Sequence, residues 1–157
     1  MKNCLKYCFL LFLCVPVVIA TAQDKVVIKT VKKFKPPVVH TTWDNIKSTS
    51  TISLEEALKM VSLPLKVIDS AKNVYKIDNY RFLYRSGSVV ENEQTGRKEL
   101  YYTVTSDNFT STPLSNIWVN NLKTNLKTGE QLLFFDIFVK DNQGRLFSAP
   151  DLKITIE

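Results

Sequence analysis

Between Gly129 and Gly144 the chain has few ways to fold. Leu132-Leu133-Phe134-Phe135-Asp136-Ile137-Phe138-Val139 is apolar on both sides of an extended backbone, too apolar for a strand with one face in water, so it is placed at the centre of a sheet. Asp141-Asn142-Gln143-Gly144 then supplies turn chemistry. Arg145 to Ala149 pairs back, Pro150 interrupts the ladder because it has no N–H to donate, and Leu152, Ile154 and Ile156 alternate with Lys153, Thr155 and Glu157 in a closing strand. Upstream, Leu114, Ile117, Trp118, Leu122 and Leu126 recur at helical spacing behind Thr112-Pro113. That dipeptide suits a helix start, and the helix is expected over about residues 113–126.

The rest of the chain reads as short strands. Ser53-Leu54-Glu55-Glu56 has the Ser-x-x-Glu form of a capping box, which predicts a short helix near residues 54–61, stopped by Pro64. Leu65 to Asp69 and Val74 to Arg85 follow as strands, with a turn at Ala71-Lys72-Asn73. Tyr80, Phe82 and Tyr84 share one face of the second strand and Arg81 and Arg85 the other. Ser86-Gly87-Ser88 is expected to break that run. Glu91 to Arg97 reads as a polar hairpin tip before a strand that carries Leu100, Tyr102 and Val104 against Glu99, Tyr101 and Thr103. Together these signals predict a mainly β fold, a β-sandwich with a helix at one end or edge.

The N-terminus reads as a destination signal. Lys2 and Lys6 precede the apolar run Tyr7 to Ala20, and Ala20 and Ala22 place small residues ahead of Gln23, so residues 1–22 are expected to be a secretory signal peptide cut before Gln23. All three cysteines, Cys4, Cys8 and Cys14, lie within that segment. An exported remainder would carry neither disulfides nor thiolate metal sites. Residues 23–53 are read as a tail and linker: Lys25, Lys29, Lys32 and Lys33 lead through Phe34 to Pro36-Pro37, and Ser48 to Thr51 marks the boundary to a domain over 54–157. The lysine-rich stretch is either a solvated tail or a strand that adds to a sheet edge. Trp43 either docks on the neighbouring domain or fills a partner's pocket. Lys25, Lys29, Lys32, Lys33, Phe34 and Trp43 are therefore the candidate partner-binding residues.

Few residues invite catalysis. His40 is the single histidine, so a triad, a histidine base or a zinc centre would rest on one residue beside a proline-rich segment. Glu55/Glu56 and Glu91/Glu93 fit a helix start and a loop better than a glycosidase pair, and each of the four glycines stands alone, without a phosphate-cradling loop. No cofactor is indicated. The formal charge of +6 is mild and falls by two without Lys2 and Lys6; the cluster from Lys25 to Lys35 supplies most of it, which does not point to nucleic acid.

Three stretches taken in order resemble one family: Leu63 to Ser70 followed by Tyr75 to Tyr84; Leu114 to Leu122; and Gly129 to Arg145 with Ala149-Pro150. This arrangement of helix, Gly-Glu, apolar strand, Asp-x-x-Gly turn, Ala-Pro and terminal strand is similar to the C-terminal domain of GldM, the shaft component of gliding-motility and type IX secretion machinery. The resemblance spans roughly Leu63 to Ile156. It implies an immunoglobulin-like β-sandwich, periplasmic and without enzymatic activity, that meets envelope, secretion or motility proteins, possible homo-oligomers included. GldM itself is a long inner-membrane protein with several periplasmic domains, whereas this chain offers a signal segment, a short tail and one domain. The alternative reading is a glycan- or peptidoglycan-binding β-sandwich that uses Trp43 or an exposed aromatic strand face.

Overall fold

The computed structural model describes residues 33–157. The expected signal peptide with Ala20, Ala22 and Gln23, and the lysines at 25, 29 and 32, lie outside the described residues. Eight strands and two helices follow in chain order: β1 (Val39–Trp43), β2 (Ser50–Ile52), α1 (Leu54–Met60), β3 (Leu65–Asp69), β4 (Val74–Glu91), β5 (Lys98–Phe109), α2 (Asn116–Asn125), β6 (Gln131–Lys140), β7 (Leu146–Ala149) and β8 (Leu152–Ile156). The fold is mainly β. Its one mixed sheet runs β1-β3-β4-β6-β8-β2, with β5 also on β4 and β7 also on β6. Every pairing is antiparallel except that of β2 with β8. The sheet curls, and the Thr41 hydroxyl of β1 donates to the Pro150 carbonyl between β7 and β8.

Two compensating bulges decide which residues of the central strand turn inward. Opposite β4, the register of β6 passes from Arg81↔Phe135 to Asn79↔Phe138 and then to Ile77↔Val139, so an extra residue enters β6 near Asp136 and another enters β4 near Asp78. Each extra residue flips the side-chain parity of its strand. Buried positions are thus Leu132 and Phe134, then Ile137 and Val139, on β6, and Ile77, then Tyr80, Phe82 and Tyr84, on β4. Asp136 takes the left-handed backbone, φ 48°, and its carboxylate accepts from Arg81 at 3.4 Å; Lys140 holds Asp78 across the other bulge. The strand is central in the ladder, as expected, but it buries one face.

The core is aromatic. Phe134 lies 5.2 Å from Trp43 and 5.0 Å from Phe82, between ring centroids, and Tyr80 stacks on Phe109 at 5.3 Å. The Trp43 indole donates to the Leu63 carbonyl at 3.0 Å, so the polar edge of the ring is satisfied inside.

The proposed linker and domain boundary need correction. β1 pairs with β3 from Val39↔Asp69 to Trp43↔Leu65, and Ser50 to Ile52, expected to be a linker, run beside β8. Residues Lys35–Glu157 form one compact unit, because Val39, Trp43, Ile46 and Ile52 are apolar enough to enter the core. The expected helix over 113–126 is shorter, Asn116–Asn125 with Ser115 at its N-cap. Thr112 does not cap it: the Thr112 hydroxyl accepts from the Leu65 N–H of β3 at 2.7 Å. On that helix Val119 and Leu122 are buried and Ile117 is 82% exposed, contrary to the expected apolar face. The short helix does form, capped by the Ser53 hydroxyl, which accepts from the Glu56 N–H at 3.3 Å. Ser86-Gly87-Ser88 breaks nothing, and β4 runs straight through it.

Candidate interaction surface

β4 outlasts its neighbour. Its pairing with β6 ends at Arg85↔Gln131, while its pairing with β5 continues to Glu91↔Lys98. A two-stranded ribbon therefore leaves the sheet, closed by a tip in which the Asn92 side chain accepts from the N–H groups of Gln94 and Thr95. Cross-strand pairs Arg85↔Val104, Gly87↔Tyr102 and Val89↔Leu100 share the face turned away from the core, and Val90 and Tyr101 stand on the opposite face. Val89, Val90, Leu100, Tyr101, Tyr102 and Val104 are all exposed, with Leu100 at 57% and Val104 at 56%. Val89, Leu100, Tyr102 and Val104 sit side by side on the outer face and form a patch there rather than scattered singletons. The Arg85 guanidinium lies 3.5 Å from the Tyr102 ring centroid and fixes that ring on the outer face.

At the root of the ribbon sits a buried carboxylate. Glu130, 3% exposed, accepts from the Tyr84 hydroxyl, from the Gly87 N–H at 3.0 Å and from the Lys127 N–H at 2.8 Å. These donors come from β4, from the point where the ribbon departs, and from the segment after α2, so one side chain ties the three together. Burial, with the neighbouring carboxylate beside it, pushes the Tyr84 phenol well above its ordinary range; burial pushes Tyr80 up to about 12.

Above Glu130 the inner face of the ribbon and α2 enclose a cleft of about 510 Å³. Tyr84, Ser86 and Thr105 line one wall and Ile117, Trp118 and Asn121 the other. Trp118 packs edge-on against Phe82 at 5.1 Å and donates its indole N–H to Asp107 at 3.3 Å, so its ring is held rigidly at the mouth. An apolar wall with hydroxyl and amide groups opposite suits a peptide side chain or another small amphipathic group.

Of the candidate partner residues, Lys33 is exposed and Phe34 half-buried, whereas Trp43 is buried in the core and offers no surface to a partner. That also removes Trp43 from the glycan reading. His40 is exposed on β1 and lines a depression of about 730 Å³ with Lys66 and Lys72. Glu55 pairs with Lys59 at 2.6 Å on α1, and Glu91 and Glu93 sit at the ribbon end, so the acids stand on separate elements. From the sequence, Glu130 has no assigned role, Ile117 is expected on a buried helix face, and the hairpin with its tip at Glu91 to Arg97 is expected without its departure from the sheet. The readable signal was Leu100-Tyr101-Tyr102, apolar on both faces with no second strand available to cover it.

No protein-family model matches this sequence, and no curated protein matches it. Among the described residues no helix is long and apolar enough to cross a membrane, and no group of three or more metal-binding side chains gathers.

Proposed function

We propose that this chain is a non-enzymatic interaction module of the cell envelope, periplasmic after export, an immunoglobulin-like relative of the GldM C-terminal domain that meets secretion, motility or other envelope proteins. The observation that carries this reading is the cleft between α2 and the ribbon, whose rim exposes Ile117 while Trp118 is locked in place beside it. A rigid aromatic next to an exposed aliphatic side chain, over polar groups already held by the fold, suits recognition at low entropic cost. The motif order from Leu63 to Ile156 supplies the family and the compartment. A glycan reading retains one support, since Trp118 and Asn121 face Ser86 and Thr105 across the same cleft.

The test is affinity purification of the tagged chain after mild crosslinking in its native envelope, in parallel with Ile117→Glu. Recovery of envelope proteins by the parent chain and their loss from the variant is the expected outcome. Capture of no envelope protein, or of the same set by Ile117→Glu, refutes the assignment. Binding on a glycan array that Trp118→Ala abolishes would favour the second reading.

A further inference from the structure

Among the described residues, the outer edge of β5 has the hydrogen-bonding groups of a sheet with no strand beside them. Residues along a strand offer their N–H and C=O groups alternately to one edge and the other. The Gly87 N–H points away from β5, since it bonds Glu130, so its cross-strand partner Tyr102 belongs to a non-hydrogen-bonded pair and turns its own N–H and C=O outward. Lys98, Leu100, Val104 and Ser106 follow Tyr102 by alternation. Thr103 agrees with this, because its carbonyl faces β4 and accepts from the Ser86 hydroxyl at 3.5 Å. The free run ends at Asn108, where the Asp107 side chain accepts from the Asn108 N–H at 2.8 Å and occupies the edge itself.

Natural sheets guard such an edge with lysine, proline, a bulge or a covering loop. From Leu100 to Ser106 β5 has none of these: Leu-Tyr-Tyr-Thr-Val-Thr-Ser is uncharged and rich in strand-forming residues, and among the described residues β5 pairs with β4 alone. Such an edge is a ready template for a further strand, and the sequence of β5 indicates which strand fits it. When two copies are set antiparallel about a two-fold axis through Tyr102, outward-facing groups meet outward-facing groups. Tyr102 then faces Tyr102, and Leu100 faces Val104, on the outer face, while Tyr101 faces Thr103 on the inner one. Lys98 meets Ser106, Glu99 meets Thr105, and Arg97 of each copy meets Asp107 of the other. Every charged residue avoids its like, apolar residues meet apolar ones, and the ends close with two ion pairs. A shift of the two-fold axis to Thr103 would instead set Glu99 against Asp107 in both halves. The register is therefore specified by charge as well as by the aromatic centre.

We infer that β5 pairs with β5 of a second copy of this chain, antiparallel about Tyr102, to give a dimer with one continuous sheet. This goes beyond the envelope assignment and does not depend on it: the cleft at Ile117 opens on the inner face and the dimer forms along the edge, the two meeting at Asp107, whose carboxylate also accepts from the Trp118 indole.

The experiment is sedimentation of the purified chain across a dilution series, with three variants. Tyr102→Glu sets like charges opposite each other at the axis, yet keeps a partner in Arg85 within its own chain. Arg97→Glu opposes Asp107, and Arg97→Glu combined with Asp107→Lys restores the pair in reversed polarity. The parent chain is expected to dimerise reversibly, Tyr102→Glu and Arg97→Glu to weaken dimerisation about tenfold or more, and the reversed pair to recover most of that loss. Circular dichroism confirms that each monomer is folded; should Tyr102→Glu not fold, exposed Arg97→Glu carries the test. A photoreactive p-benzoylphenylalanine at position 102 should crosslink to residues 100–104 of a second copy. A parent chain that stays monomeric at every concentration, a dimer indifferent to Arg97→Glu, or a position-102 crosslink only to a different polypeptide overturns the inference.

Discussion

Replacing Glu130 by alanine should be among the most damaging single changes in this protein, even though the residue is polar and lies in a connection. The carboxylate is buried and accepts from three groups, the Tyr84 hydroxyl and the N–H groups of Gly87 and Lys127. Truncation leaves those donors without their partner, at about 1–3 kcal/mol each where they stay dry. The Tyr84 hydroxyl can turn to the Asn125 carbonyl, already 3.4 Å away, and the cleft above admits some water to the two amides. The net cost is therefore about 3–5 kcal/mol, a large part of the roughly 5–15 kcal/mol that holds a domain together. Glu130→Gln keeps the shape but turns an amide NH₂ toward a donor, so it should fall about halfway between, and Tyr84→Phe should be strongly non-additive with Glu130→Ala because the two share one interaction. Urea titrations followed by circular dichroism measure the parent, the three single variants and the Tyr84→Phe/Glu130→Ala double variant. A Glu130→Ala unfolding free energy within about 1 kcal/mol of the parent's would refute the view that this side chain fastens the ribbon to the sheet.

Other consequences can be checked with the same assays. Phe134→Ala should cost about 3–5 kcal/mol, because the ring is buried against Trp43, Tyr80 and Phe82, whereas Phe135→Ala on the outer face, with only Arg81 over its ring, should cost clearly less; equal losses would mean that the bulge is misplaced. Alkaline pH should weaken the fold. Tyr80 and Tyr84 keep their protons in the folded chain to higher pH than in the unfolded one, so their contribution is whole below about pH 10 and fades above it as unfolded tyrosines ionise first, from pH 10 toward 12 for Tyr80. Thermal melts across that range should fall more steeply for the parent than for Tyr84→Phe, and parallel curves would contradict the shift. Ile117→Glu should melt with the parent, because its side chain stands in solvent.

Most of the strands could be read from local chemistry, since period-two alternation and turn residues are short-range signals. Leu152, Ile154 and Ile156 alternate without interruption, and their strand lies where the pattern puts it. The bulges were hidden because the outer face also carries Leu133, Phe135 and Phe138, so no alternation was left to show where the parity flips. β1 and β2 were missed for another reason. Their pairing partners lie far along the chain, with Ser50 beside Ile154, and a serine- and threonine-rich stretch fits a parallel edge strand only once that neighbour is known. The same limit hid the surface. That Ile117 is exposed and Val119 buried depends on where α2 sits over β4, and Glu130 became a fastener only when Tyr84, Gly87 and Lys127 converged on it.

Residue-resolved amide hydrogen exchange along β5, recorded by NMR from dilute to concentrated solution, tests most directly whether this ribbon is a working edge. At high dilution the amides of Tyr101, Thr103 and Thr105, which face β4, should be protected, while those of Leu100, Tyr102 and Val104 exchange freely; at high concentration the second set should become protected as well. An edge whose alternate amides are protected even at the lowest concentration, or remain open at the highest, would contradict the account.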